Sequence, residues 1–369
     1  MEFKFIDLFA GIGGFHIAMK SVGGRCVFAS EIDKYARLTY EANYKNDEPS
    51  LFLKSSNGEY LYFNDDITKV NAEDVPEFDV CCGGFPCQPF SIAGLKKGFE
   101  DTRGTLFFNI ANLIKAKVEA GTPPKVLFLE NVKGLRGHDG GNTLKVILAT
   151  IEELGYAYAY DIVNARYFGV PQNRERLFIV AWHKDSISSD GFSFPYGVDV
   201  NGNTIYDKET AKTGAISTRL SDILHDTPDT LPISDEAWEG FQKHKERNVK
   251  NGKGFGYQKY SREAKFVGTL TAGYYKGGGS CLVDQAEKGL NPRKLSPEEA
   301  GRLQGYNIIS DGWMPGKVNT DSPFKITVSK SQTYKQFGNS VAVPVVKRIA
   351  EEIVKQLLYK KNRVIGEPF

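Results

Sequence analysis

Cysteine, tryptophan and methionine are scarce, at 5, 3 and 3 of 369 residues. The cysteines, Cys26, Cys81, Cys82, Cys87 and Cys281, form an odd set with no CxxC pair, which argues against a disulfide framework and against a cysteine-rich zinc site. A reducing cytoplasm and the absence of a metal are the expectations that follow. The amino-terminal stretch lacks the basic start and apolar centre of a signal peptide. No apolar run reaches the roughly 20 residues that span a bilayer, so no membrane association is expected. An excess of one charge sign is missing too: the formal net charge is +2, which does not suit a protein that coats nucleic acid through a general positive field. Internal repeats and low-complexity tracts are absent, which leaves an ordinary globular chain.

Hydrophobic residues make up 41% of the chain and charged residues 25%, and this length exceeds what one core usually serves. The first half alternates short apolar runs with amphipathic stretches: FKFID then GFHIAMKSV, CVFAS then DKYARLTYEANY, FDVCC then TLFFNIANLIKAK, KVLFLE then NTLKVILATIEEL. Such alternation predicts an α/β fold with a parallel sheet and helices on both faces, and ligands then bind beyond the carboxyl ends of the strands. From about residue 185 the texture turns to Gly, Asp, Ser and Thr as far as about 290. Apolar residues return at helical spacing over 340–358 (Val343, Val346, Ile349, Ile353, Leu357). The expected organisation is a first domain over 1–184, a second domain over 185–330 whose polar texture spans 185–290, and a segment over 331–369 that completes the first.

Charge is distributed unevenly. Between Phe241 and Lys265 stand eight Lys or Arg (Lys243, Lys245, Arg247, Lys250, Lys253, Lys259, Arg262, Lys265) against two Glu (Glu246, Glu263). A solvated face explains the charge alone. The interleaved aromatics Phe255, Tyr257 and Tyr260 and the flexible Gly252, Gly254 and Gly256 add the expectation of a loop that faces nucleic acid.

Chemistry concentrates at the ends of the expected strands. DLFAGIGGF (7–15) carries glycines that permit a tight strand-to-helix turn and close backbone approach to a ligand, although it is not GxGxxG and also reads as an ordinary turn. Glu31 ends the next strand about twenty residues on, where an acid accepts from ribose hydroxyls. Asp66 offers an acceptor for an adenine amino group, or a helix cap before Thr68. In GGFPCQPFS (83–91), Cys87 stands between two prolines at a strand end, where a reactive thiol is expected, whereas Cys81 and Cys82 belong to the strand itself. ENV (130–132) places Glu130 in the same cleft, as a proton donor to a ring nitrogen or as half of a salt bridge. QNRERLF (172–178) alternates Gln172, Arg174 and Arg176, which suits phosphates or carbonyl oxygens on a strand face and equally suits a surface strand.

These motifs, with RKLSPEEAGRLQGY (293–306) and QFGNSV (336–341), stand in the order and spacing of the cytosine carbon-5 DNA methyltransferases, and the chain resembles that family over nearly its whole length. The resemblance implies a Rossmann-like S-adenosylmethionine-dependent methyltransferase domain with a mostly parallel sheet, plus a smaller, irregular, strand-rich target recognition domain. It implies S-adenosylmethionine as methyl donor, with S-adenosylhomocysteine as product. Phe9, Gly11, Ile12, Gly13, Glu31, Ile32, Asp66, Ile67, Pro86, Leu106, Asn339 and Val341 match positions around that cofactor. Cys87 matches the nucleophile, Glu130 the acid facing the cytosine, and Arg176 the group holding its carbonyl, with Arg174 beside it.

The segment 91–108 resembles the loop that closes over DNA, with Ser91, Lys96, Lys97 and Arg103 toward the duplex. Ala93 departs from the serine of some relatives, which puts the contact that fills the opened helix in doubt. Lys253, Tyr257, Thr269, Leu270, Tyr274, Tyr275 and Lys276 match the base-reading region, whose stretches HKERNVKNGKGFGY and TLTAGYYK are similar to enzymes that methylate an inner cytosine of CCGG or CCWGG. Double-stranded DNA is the implied partner, met by a monomer in the bacterial cytoplasm at the nucleoid, with a separately acting restriction endonuclease alongside. A branch of the family acts on transfer RNA, and a non-catalytic DNA-binding relative is the third reading. The retained Cys87, Glu130, Arg174 and Arg176 and the large variable region favour DNA methylation.

Overall fold

Parallel strands covered on both faces are near-continuous apolar runs rather than alternating ones, and FKFIDL and VLFLENV are such runs. In the computed structural model, which describes residues 2–86, 106–188, 190–225, 231–253, 256–308 and 323–363, they form the middle of a seven-stranded sheet. Its strands are β1 (Phe3–Leu8), β2 (Gly24–Ser30), β3 (Phe63–Asn64), β4 (Val80–Gly84), β5 (Val126–Val132), β6 (Tyr156–Asn164) and β7 (Glu175–His183). Their order is β3-β2-β1-β4-β5-β7-β6. The pairs β1–β2, β2–β3, β1–β4 and β4–β5 are parallel.

The chain divides into two compact units. One comprises Met1–Val163, Glu175–Phe194 and Val346–Phe369, and the other comprises Asn164–Arg174 and Pro195–Val345.

In the first unit, helices α1 (Gly14–Ser21), α2 (Lys34–Tyr44), α3 (Leu106–Glu119) and α4 (Asn142–Glu153) follow β1, β2, β4 and β5, as the alternation predicts. Phe107, Ile110 and Ile114 of α3 and Leu144, Ile147 and Ile151 of α4 share one core with Ile6, Leu8, Leu127 and Leu129 of the sheet. Each such side chain contributes about 2 kcal/mol when taken out of water.

The sheet is mostly parallel, as the resemblance implies, and β7 departs from that direction: it runs antiparallel to β5, with Val126 opposite Trp182 and Val132 opposite Arg176. A buried run such as LFIVAWH fits a neighbour in either direction, so the direction depends on where the chain re-enters the sheet rather than on side-chain pattern. One expectation needs correction: the strand read from QNRERLF begins only at Glu175, so Gln172 and Arg174 precede it.

In the second unit, β8 (Gly197–Val198) pairs with β9 (Thr204–Ile205), and β11 (Leu282–Val283) lies between β10 (Lys259–Tyr260) and β12 (Arg293–Lys294). The basic stretch after Phe241 is not a loop throughout: as far as Lys250 it belongs to the helix Asp235–Lys250. Ser234 caps this helix by accepting from Ala237 N–H at 3.3 Å, with Asp235 and Glu236 in its first turn and Arg247 and Lys250 in its last. Both charge placements complement the helix dipole and outweigh the polar composition. Arg293 and Glu299 form a fully buried bidentate pair at 2.8 and 2.9 Å, which ties β12 to the helix Pro297–Leu303.

The closing helix runs Val343–Arg363 and starts three residues later than its periodicity suggests, with Pro344 in its first turn, where a missing N–H costs nothing. Among the described residues, no helix is long and apolar enough to cross a membrane, and no cluster of three metal-ligating side chains occurs.

Candidate active site

The strand order reverses between β1 and β4, and in an open parallel sheet a ligand crevice lies outside the carboxyl ends at such a reversal. DLFAGIGGF leaves β1 at that point, and Phe85 and Pro86, which precede Cys87 in the chain, leave β4.

Phe9 and Gly11 have φ of 55° and 56°, and Gly13 has 83°, which reverses the chain into α1 within five residues. Only Gly tolerates position 13, because a Cβ there would lie 2.4 Å from the Tyr44 ring. Tyr44 in turn donates to the carbonyls of Ile12 at 2.9 Å and Gly13 at 3.1 Å. At Gly11 a Cβ would meet nothing within 4 Å among the described residues, so this stretch of backbone faces space they leave open. Its N–H is donated to Glu31 Oε2 at 2.8 Å, while Glu31 Oε1 accepts from Asp33 N–H at 2.7 Å. Glu31 therefore braces the loops after β1 and β2 and keeps further lone pairs on both oxygens. Burial pushes its carboxyl above the usual range, and the two backbone bonds oppose that rise.

Ile32 is 74% exposed beside this carboxylate, whereas Ile12 and Ile67 are buried and Phe9 and Leu106 half-buried. Asp66 is a cap: Oδ1 accepts from Thr68 N–H at 3.0 Å and Thr68 Oγ1 at 2.7 Å, and these bonds hold its carboxyl low. An exposed apolar side chain, open glycine backbone and a carboxylate with spare acceptors fit an adenosine group.

At the end of β4, Gly84 stands opposite Glu130 of β5, and a Cβ at Gly84 would lie 3.1 Å from Glu130 Oε2. Glu130 Oε1 lies 3.0 Å from Arg176 Nε, both side chains being largely buried. The antiparallel course of β7 makes this pair possible, because it brings the start of β7 to the carboxyl end of β5. Burial pulls the Arg176 guanidinium below its ordinary value, and Glu130 pulls it back.

Asn131, which the sequence reading passed over although it stands within ENV, is buried and donates Nδ2 to the Phe85 carbonyl at 2.8 Å. It holds the backbone at Phe85, next to the exposed Pro86. Cys87 itself, like Ser91, Lys96, Lys97 and Arg103, lies outside the described residues.

The remaining expected residues belong to the second unit. Arg174 is buried and donates to the carbonyls of Leu270 (2.9 Å), Gly338 (3.3 Å) and Ser340 (2.6 Å). Thr269 Oγ1 donates to Asn173 O at 2.7 Å, and Leu270 is fully buried. Tyr274, expected toward DNA, is a core strut: its hydroxyl donates to Cys281 O and accepts from Leu295 N–H, both at 2.8 Å. Its neighbours Tyr275 and Lys276 are exposed, as is Lys253. Tyr257 packs edge-on against Trp238 at 4.7 Å with Lys245 Nζ 4.4 Å from its centroid, so the helix Asp235–Lys250 occupies much of that ring. Asn339 ends the helix Lys330–Asn339 exposed, and Val341 is buried.

Residues 3–355 match the family described as C-5 cytosine-specific DNA methylase. The chain is 44% identical over 366 residues to the Type II methyltransferase M1.ScrFI of Lactococcus lactis subsp. cremoris, covering 98% of this chain and 80% of that one. It is 43% identical over 366 residues to M.NlaX of Neisseria lactamica, covering 98% and 100%. Among solved structures, a DNMT2 mutant of Spodoptera frugiperda matches with TM-score 0.65 at 18% identity, covering 95% of this chain and 99% of that one, which is a likeness of fold.

Proposed function

Since the chain belongs to the C-5 cytosine-specific DNA methylase family and is a sequence-specific DNA cytosine-5 methyltransferase, we propose that Cys87 is its nucleophile and that Glu130 and Arg176 hold the cytosine it attacks. The observation that carries this reading is the buried Glu130–Arg176 pair beside Gly84, three residues before Cys87 and at the carboxyl ends of the central strands.

Carbon 5 of cytosine is a weak nucleophile. Addition of the Cys87 sulfur to carbon 6 raises electron density at carbon 5, provided ring nitrogen 3 is protonated or hydrogen-bonded as the charge develops, which is the role of Glu130. Arg176 keeps the Glu130 carboxyl in place and offers its remaining N–H groups to the cytosine carbonyl. S-adenosylmethionine is the methyl donor of the family and, when bound, supplies an activated methyl group. Gly11, Glu31 and Ile32 hold its adenosine end, with Phe9, Ile12, Asp66, Ile67, Pro86 and Leu106 around them. After methylation, loss of the carbon-5 hydrogen as a proton to a base, water being one, lets Cys87 leave with the bonding pair as thiolate and restores the aromatic ring. A stacked base cannot reach such a thiol, so the target is swung out of the duplex at a cost of a few kcal/mol.

Target choice falls to residues 185–290, with Tyr275, Lys276 and Lys253 toward the duplex and the inner cytosine of CCGG or CCWGG as the site. The enzyme works as a monomer in the cytoplasm and protects host DNA from a restriction endonuclease that acts separately. The transfer-RNA and non-catalytic readings give way because the 43–44% identical relatives are Type II methyltransferases.

Duplex DNA with 5-fluorocytosine at the target tests the mechanism, since fluorine cannot leave as the hydrogen does and the sulfur adduct persists. Wild type yields a denaturant-resistant complex and Cys87→Ala yields neither complex nor methylation. Methylation by Cys87→Ala would overturn the assignment. Bisulfite sequencing of plasmid from expressing cells gives the target.

A further inference from the structure

Three residues that precede β7 grip one short segment of the second unit. The Gln172 side chain accepts from Leu270 N–H at 2.8 Å, and the Arg174 guanidinium donates to Leu270 O at 2.9 Å. Both backbone groups of Leu270 are thus held by buried side chains two residues apart. The Asn173 carbonyl takes the Thr269 hydroxyl at 2.7 Å, and Asn173 N–H is donated to Val267 O at 2.9 Å.

The same two side chains reach the segments packed around that one. Arg174 also donates to Ser340 O at 2.6 Å and Gly338 O at 3.3 Å. Gln172 Nε2 donates to Leu303 O at 2.9 Å and Gln304 Oε1 at 3.2 Å, and Gln304 Nε2 donates to Phe337 O at 2.7 Å. Gln172 and Gln304 are fully buried and Arg174 nearly so. There is no slack at the far side: a Cβ on Gly338 would lie 2.3 Å from the Thr271 carbonyl carbon.

We infer that Arg174, with Gln172, is a positioning residue for target choice, fixing the segment Val267–Thr271 against Phe337–Ser340, and that it does not touch the cytosine. A guanidinium suits this place because its fixed fork satisfies several carbonyls at once, which a point-charge ammonium cannot do. Buried carbonyls of this kind cost free energy when left without donors, so the segment has one low-energy placement. From there the chain continues directly through the turn Ala272–Lys276, which presents Tyr275 and Lys276 to solvent. An error in the placement of Leu270 is therefore carried to those side chains. The inference rests on the reading that this turn faces DNA.

The test compares initial methylation rates on the target duplex and on a duplex altered at one neighbouring base pair. The ratio of the two rates is unaffected by the fraction of active molecules, so it separates mispositioning from partial unfolding. Arg174→Lys is expected to lower this ratio about tenfold and to raise KM for DNA more than it lowers kcat. A fall in kcat with ratio and KM unchanged is the signature of a group that acts on the cytosine itself, and it would overturn the inference. If Arg174→Lys does not fold, Gln172→Glu serves, since it keeps the acceptor for Leu270 N–H but loses the donor to Leu303 O. An unchanged ratio in folded Gln172→Glu would equally overturn it. Wild-type bisulfite sequencing stands apart from both variants: absence of any preferred site there defeats the DNA-facing reading itself.

Discussion

Arg176 Nε sits 3.0 Å from Glu130 Oε1, and the pair exists because β7 enters the sheet antiparallel to β5 at the end where Glu130 stands. If this pair holds the cytosine ring, Glu130→Gln lowers kcat by about 10²- to 10⁴-fold, the usual range for a lost proton donor, while S-adenosylhomocysteine still binds. Arg176→Lys lowers it less, and the double variant is no worse than Glu130→Gln alone, because the two act as one unit. Single-turnover methyl transfer checks this. Additive losses would mean that the two residues work separately.

Gly11 and Gly13 share a left-handed backbone but face different surroundings. Alanine at either position carries about 1 kcal/mol of backbone cost. At Gly13 it must also displace Tyr44, so Gly13→Ala is expected to lose about 3 kcal/mol of stability in all. Gly11→Ala is expected to melt near wild type but to weaken S-adenosylhomocysteine binding, because its methyl would project into the open space proposed for the adenosine group. Thermal melting and calorimetric titration separate the two effects. Equal destabilisation by both variants would show that position 11 is packed.

His16 is fully buried beneath the same loop, its Nδ1 2.7 Å from the Tyr40 hydroxyl and its ring stacked 3.9 Å from Tyr44. Burial lowers its pKa from 6.5 to about 3. Between those values the unfolded chain binds a proton that the folded chain refuses, so the stability His16 contributes is complete above pH 6.5 and declines as pH falls toward 3. From pH 6.5 to 5 this amounts to about 2 kcal/mol. Asp7 opposes it, since burial holds its carboxyl well above the usual range. Urea unfolding of wild type and His16→Phe at pH 7 and pH 5 isolates the histidine. The difference in stability between the two pH values is expected to be smaller in His16→Phe, and an equal difference would assign the acid sensitivity elsewhere.

Much of the fold was legible from the sequence. FKFID, CVFAS, FDVCC and KVLFLE are strands, and each amphipathic run that follows is a helix, because apolar period and length are local properties. β3 is too short to show a period, and β6, at the sheet edge, is half-buried at most of its positions and shows no clean alternation. The helix Asp235–Lys250 escaped because its charged face suggested a loop, although Ser234 and the acidic first turn were visible signals of a start.

The site divides in the same way. Residue identity and order along the chain determined the fold class, the glycine turn at 9–13, the acid that follows β2, and the resemblance that marks Cys87, Glu130 and Arg176. Only the tertiary structure decided which of three alternating polar residues turns to which task. Arg176 lies within β7 and meets Glu130, whereas Gln172 and Arg174 stop short of the strand and bind buried carbonyls far along the chain. Tyr274 and Tyr275 separate in the same manner, one into the core and one to solvent. A side chain's type is written locally, but the donors, acceptors and burial that assign its role come from segments that only folding brings near.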